Sequence, residues 1–352
     1  MNTRKSNKIK VGISIGDQNG IGPEVILKTL SDNRINDICI PIIYGSKKTI
    51  NYFIKKLSIQ NFNYDIISDA DKAKAKNTSI INVWDEELNI NEGVEESEIG
   101  NYAALSLKAA TADLKDGKID AIVTAPINKN SIQSEEFTFP GHTEYLQAED
   151  NAEDSLMLMI SEHAKIGVVT GHIPIKDVAN SISSEAILKK VTLLNKSLKE
   201  DFQVRKPKIA ILGLNPHAGD NGLLGKEEQE IIEPAINQVK SIGILAFGPF
   251  PADGFFGSDN YKNFDGIIAM YHDQGLIPAK SLSFGGGINY TAGLSFVRTS
   301  PDHGTAYSIA GQGAANEGSF RNALYQAVQI AKNRKMQSEL EENVLQVNKS
   351  RS

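Results

Sequence analysis

Short apolar runs rich in β-branched residues recur along the chain, each followed by a longer stretch whose apolar residues fall three or four apart. The runs are VGISI from 11, IPIIYG from 40, IDAIVTAP from 119, AKIGVVTG from 164, KIAILGLNP from 208 and FDGIIAMYHD from 264. Between them, residues 100–116, 185–201 and 226–240 read as amphipathic helices. Such alternation specifies an α/β fold with a largely parallel sheet and helical crossovers. Polar clusters follow the strand runs, as in Gly171-His172 and Asn215-Pro216-His217. Open α/β sheets place their sites there, beyond the carboxyl ends of strands.

The 352 residues suffice for one large domain or two medium ones. With 37 Lys plus Arg against 43 Asp plus Glu, the net charge of −6 gives no footprint for nucleic acid or an anionic membrane. An anionic ligand must be caught locally. Cys39 is the only cysteine, which excludes a disulfide framework and a cysteine-rich zinc site and suits a small core residue in a reducing compartment. The basic start MNTRKSNKIK is followed by too short an apolar stretch for a signal peptide, and no run reaches membrane-spanning length, so a cytoplasmic protein is expected. The polar tail after about 334 reads as an exposed helix with a frayed end.

Five of six histidines, His142, His172, His217, His272 and His303, sit in loop contexts, whereas His163 lies in the plain stretch SEHAKI. A single loop histidine is ordinarily just a hydrogen-bonded side chain. His172, His217 and His272, however, each follow a strand run, and a parallel sheet would bring them to one rim. Three neutral imidazoles with open positions make a catalytic metal site. Their spacing matches no local ligand motif. Downstream, Lys280 and Arg298 flank FGGGINYTAG, which contains Asn289, and there glycine backbone and two cations suit a phosphate or carboxylate. The alternative is surface charges beside turn glycines. The turn Gly16-Asp17-Gln18-Asn19-Gly20-Ile21-Gly22-Pro23-Glu24 is neither a dinucleotide fingerprint nor a Walker motif, and Gly225-Lys226 is followed by Glu227 where Ser or Thr would be needed.

With FPGHTEYL, TGHIPIKDV, LNPHAGDNG, GPFPADGFF and YHDQGLIPAK in this order, the chain resembles the 4-hydroxythreonine-4-phosphate dehydrogenase family of pyridoxal phosphate biosynthesis from about residue 10 to 330. The resemblance implies His172, His217 and His272 as metal ligands, and His142, Thr143, Lys280, Asn289 and Arg298 as substrate contacts. It makes Asp253 an accessory polar group near the metal. Asp302-His303-Gly304-Thr305-Ala306, continuing to Asn316, is similar to the adenosine-binding loop of the isocitrate and isopropylmalate dehydrogenase superfamily. That implies NAD, with NADP as the alternative, bound at His303, Gly304, Thr305, Ala306 and Asn316 without a Rossmann fold.

The implied architecture is two α/β/α domains around a central cleft. Residues 1–134 with 300–352 would form the NAD side, and 135–299 the metal, substrate and dimerisation side. A homodimer would share each site, with His272 expected from the partner subunit. Zinc is the expected ion, with magnesium or cobalt as alternatives. Many family members have Pro-Ala where this chain has Gln18-Asn19, which bears on cofactor contacts more than on reaction class.

The implied reaction oxidises the C3 alcohol of 4-phosphooxy-L-threonine to 2-amino-3-oxo-4-phosphooxybutanoate, a β-keto acid that decarboxylates to 3-amino-2-oxopropyl phosphate. The proton acceptor stays open between Lys280 and a metal-bound water. Rivals on the same scaffold are 4-phospho-threonate and cis-dihydrodiol dehydrogenases. Outside it stand a non-catalytic metabolite-binding protein and a metal-dependent hydrolase.

Overall fold

A computed structural model describes residues 8–60 and 62–342. The expected strands form as β1 (Ile9–Ser14), β2 (Cys39–Gly45), β5 (Ala121–Thr124), β7 (Lys165–Val168), β8 (Lys208–Leu212) and β10 (Gly266–Ala269). Joining them are β3 (Tyr64–Ile67), β4 (Thr78–Asn82), β6 (Leu156–Ile160), β9 (Leu245–Phe250), β11 (Ile288–Ala292) and β12 (Val297–Pro301). All twelve build one sheet in the order β3-β4-β2-β1-β5-β12-β11-β6-β7-β10-β8-β9.

The sheet is less parallel than its sequence suggests. Its flanks are parallel, but β12, β11, β6 and β7 pair antiparallel in succession. The strands of one flank therefore run opposite to those of the other. Successive residues of β2, Ile42 and Ile43, enter different apolar clusters, so helices cover both faces.

Local chemistry explains the helices. Ser183 caps Ser184–Glu200 by accepting from the Ala186 amide at 3.1 Å, and Ile187, Val191, Leu194 and Leu198 bury one stripe. Pro23 begins Gly22–Leu30, where its missing N–H costs nothing. The expected helix near 226 starts as a π-turn at Glu228–Ile232 before Glu233–Ser241. Gly318–Glu342 carries the expected tail helix as far as the description goes, and the frayed end lies outside the described residues, as does most of the basic start. Cys39 is fully buried, and burial pushes its thiol up to about 12. Among the described residues no helix is long and apolar enough to cross a membrane.

Candidate active site

The antiparallel centre of the sheet is the floor of a cleft of about 250 Å³. Register places Met159, Asn289 and Ser300 side by side across β6, β11 and β12, with Met157 beside Thr291 one step along. All of them except Thr291 line the cleft, and so does Arg298. The site thus lies over the face of the sheet at its antiparallel seam, and only part of it comes from carboxyl ends of strands.

Arg298 is 3% exposed. Its guanidinium donates to Thr124 Oγ1 at 2.8 and 3.2 Å, to Thr291 Oγ1 at 3.0 Å and to Thr143 Oγ1 at 3.4 Å. Every partner is a neutral hydroxyl. Burial lowers its pKa to about 10, with Glu144 opposing the shift. His142 and Thr143 open the helix His142–Asp150 after Gly141 and line the same space. His142 Nε2 and Asn289 Oδ1 are buried with no hydrogen-bond partner. Burial first, then the charges of Arg298 and Lys129, holds the His142 imidazole well below its usual value. A desolvated cation bonded only to hydroxyls favours an anionic ligand, while the unpartnered Asn289 Oδ1, an acceptor, calls for a donor on the same ligand.

His172, beyond β7, and His272, beyond β10, stand with ring centroids 5.3 Å apart at an interplanar angle of 45°. β7 and β10 are parallel neighbours, which accounts for the meeting. His172 is depressed chiefly by burial, then by Lys129 and His272. His272 Nδ1 lies 2.7 Å from Asp273 Oδ1, a contact that leaves Nε2 as the free nitrogen when Nδ1 carries the proton.

His217 is not with them. β8 is the next strand after β10, as the rim expectation requires, but Pro216–Gly222 takes left-handed backbone from His217 to Asn221 and carries an exposed imidazole away. Asp253, exposed on Ala252–Gly257, belongs to the same end of the molecule, because that helix packs on Pro216–Gly222. Among the described residues no three potential metal ligands converge. Within one chain the histidine standing apart is His217, whereas His272, expected from the partner, sits beside His172.

Lys280, in the last turn of His272–Ser283, does not line the cleft but reaches Asp302 Oδ1 at 3.3 Å, and Asp302 does line it. Burial raises the Asp302 pKa against the pull of Lys280. His303 and Gly304 line the cleft, with His303 Nε2 buried and unpartnered. Thr305, Ala306 and Asn316 lie farther along that loop, outside the cleft. Lys129, Glu144 and Thr124 line the cleft without a role expected from the sequence, and Asp302, named there only as the start of the DHGTA loop, lines it too. Glu144 and Asp302 fall inside the quoted motifs GHTE and DHGTA, and Lys129 follows the strand run ending in Pro126.

A mixed sheet whose seam carries a buried, unpaired guanidinium beside two imidazoles defines an α/β enzyme acting on a small anionic molecule. More particularly, the chain belongs to the family described as pyridoxal phosphate biosynthetic protein PdxA, whose model matches residues 37–327. It is 49% identical over 342 residues to a 4-hydroxythreonine-4-phosphate dehydrogenase of Bacteroides thetaiotaomicron, covering 97% of this chain and 94% of that one. A crystal structure of the enzyme of that name from Klebsiella pneumoniae superposes with a TM-score of 0.81 at 31% identity, covering 94% and 99% of the two chains. A relative from Oceanobacillus iheyensis with a provisional D-threonate 4-phosphate dehydrogenase name is 39% identical over 331 residues, covering 93% and 99%.

Proposed function

We propose that this chain is a 4-hydroxythreonine-4-phosphate dehydrogenase, oxidising 4-phosphooxy-L-threonine at C3 with NAD and a divalent ion. The Arg298 guanidinium carries the reading: it is buried and bonded only to hydroxyls, and Glu144, the carboxylate that acts on it, forms no ion pair with it, so an anionic ligand has a charge to meet. His142, Thr143 and Asn289 complete a set of neutral polar groups around that anion, and His142, kept uncharged by burial, accepts or donates without competing for it.

The donor set fits a divalent ion. His172 and His272 present adjacent imidazoles, and Asp273 orients one of them. A second copy of the chain would supply His217, with Asp253 beside it, which makes a homodimer with shared sites part of the proposal. The exposed apolar residues Leu223, Leu245 and Phe247 near that end suit burial against a partner. Zinc is the proposed ion and NAD the proposed dinucleotide, held by His303, Gly304, Thr305, Ala306 and Asn316. The division into a cofactor side (1–134 with 300–352) and a substrate side (135–299) belongs to the same reading.

A divalent ion held at His172 and His272 would supply Lewis-acid polarisation of the substrate hydroxyl, and a dinucleotide held by the 303–316 loop would supply the hydride acceptor. The chain's own residues fix the substrate so that its C3 hydrogen meets that acceptor. The hydroxyl proton passes to a water or to Lys280 once that amine is neutral; Lys280 is paired with Asp302 at 3.3 Å, outside the cleft lining. The β-keto acid product then loses carbon dioxide to give 3-amino-2-oxopropyl phosphate.

The test is formation of reduced nicotinamide from 4-phosphooxy-L-threonine, with 4-phospho-D-threonate in parallel, before and after chelation and metal restoration. Turnover of the amino acid alone, lost on chelation, supports the reading. Turnover of the threonate alone moves the chain to the function named for its Oceanobacillus relative, and silence with both rejects the substrate.

A further inference from the structure

The turn from Gly16 to Glu24, which the chemistry above does not use, grips the 303–316 loop from behind. Ile21 N donates to Thr305 O at 2.9 Å, and Tyr307 Oη donates to the Asp17 carboxylate at 2.6 Å. Glu24 Oε1 accepts from the Ala315 amide and from Lys28 Nζ, both at 2.8 Å. Lys28 Nζ then donates to the carbonyls of Gly313 and Ala315, each at 2.7 Å. Asp17 and Glu24 are each 1% exposed, so the carboxylate side of these contacts is desolvated, while Lys28 Nζ stays partly open to water. Gly20 fits only as glycine, since a Cβ there would lie 2.8 Å from Thr305 O.

The loop needs such support. Its only helical turn is Tyr307–Ile309, and Ala306, Gly311 and Gly313 are left-handed. Gln18 and Asn19 face inward. Asn19 Nδ2 donates to Val94 O at 3.0 Å and Glu96 Oε2 at 2.8 Å, and its Oδ1 accepts from the Asn91 amide at 2.9 Å. The 91–96 segment so fixed presses the loop from a second side, Gly93 against Tyr307 and Glu92 against Gly311.

We infer that Glu24 and Lys28 are positioning residues for the dinucleotide: by fixing Gly313 and Ala315 they set the shape of the 303–316 loop and hence affinity for NAD. This rests on the proposal that the loop binds the dinucleotide. Lys28 bonds the Gly313 and Ala315 carbonyls from a partly exposed side chain, so its loss loosens the segment without opening the core.

The experiment compares Lys28→Met, Glu24→Gln and Gly304→Leu in the full chain, reading NAD and substrate affinity by calorimetry and amide exchange over 303–316 without ligand. Lys28→Met is expected to weaken NAD about tenfold, as loss of charge-assisted bonds to the loop would. Substrate affinity should stay within about twofold, with faster exchange at Ala315. Glu24→Gln, which keeps an acceptor for the Ala315 amide, should do the same more weakly. Gly304→Leu tests the underlying proposal, since a side chain there starts in open space at the cleft. If it leaves NAD affinity unchanged, the loop is not the dinucleotide site. If it weakens NAD while Lys28→Met and Glu24→Gln do not, the positioning role is overturned and the binding loop stands. Equal losses of NAD and substrate affinity in Lys28→Met would also overturn it, marking a general structural effect.

Discussion

The guanidinium of Arg298 rests on the hydroxyl of Thr124 at 2.8 Å and forms no ion pair among the described residues. Three threonine hydroxyls compensate part of its desolvation but none of its charge. The free protein therefore bears a cost that an anionic ligand relieves.

Arg298→Met separates binding from stability. Losing a buried charge partner costs an anionic ligand about 3 kcal/mol, so kcat/KM should fall at least ~10²-fold. Because the methionine removes an unpaired buried charge, the melting temperature should hold or rise. A fall in thermal stability with little change in kcat/KM would place Arg298 in the scaffold and remove the anion site.

The separation of His217 from His172 and His272 predicts complementation in trans. His172→Ala and His217→Ala should each be inactive alone. In the proposed dimer with shared sites, the two variants mixed and reassociated should recover about a quarter of the native activity, because half the dimers would be mixed and each of those would keep one intact site. If all three ligands came from one chain, every mixed site would stay defective and no activity would return.

His142 predicts an acid-sensitive fold. Its folded pKa is depressed well below 6.5, so the unfolded chain binds this proton first as pH falls. The associated stability is present above about pH 6.5 and is lost as pH drops towards the depressed value, by up to about 1.4 kcal/mol per pH unit. Denaturant titrations of the native chain and His142→Asn at several pH values between neutral and mildly acidic check this. The variant should show the shallower slope, and identical slopes would mean that His142 titrates normally.

Legibility in the sequence followed hydrophobic pattern. β1, β2, β5, β8 and β10 are buried parallel strands, β7 is buried between a parallel and an antiparallel neighbour, and each shows as a β-branched run. β11 and β12, INYTA and VRTSP, did not, because Asn289, Thr291, Arg298 and Ser300 put polar groups on the face that floors the cleft. Function erased the strand signal where it matters most. β6, LMLMI, lacks β-branched residues until its end, and β9, LAFGPF, is interrupted by Gly and Pro. The neighbouring strands of His172, His272 and His217 were foreseeable, but the left-handed run that turns His217 outward was not. Lys129 and Asp302 gained meaning only once chain-distant segments met around His142 and Lys280.

The last prediction concerns the far side of those polar strands. Asp201, 2% exposed, accepts from Arg334 Nε at 2.7 Å and from Tyr290 Oη at 2.6 Å. Arg334 goes on to Tyr290 Oη at 2.9 Å and to the carbonyls of Leu294 and Ser295 at 3.0 Å. The network ties Ser184–Glu200 and Gly318–Glu342 to the β11–β12 turn, and Tyr290 lies between Asn289 and Thr291. Arg334→Met leaves a buried carboxylate without its cation and should destabilise the fold by about 3–5 kcal/mol in urea unfolding. Asp201→Asn combined with it should cost less than the sum of the two single changes, since the charge left unpaired is then gone. Additive losses would show that Asp201 and Arg334 act on stability independently, and the turn would then owe its shape to the Leu294 and Ser295 carbonyl contacts alone.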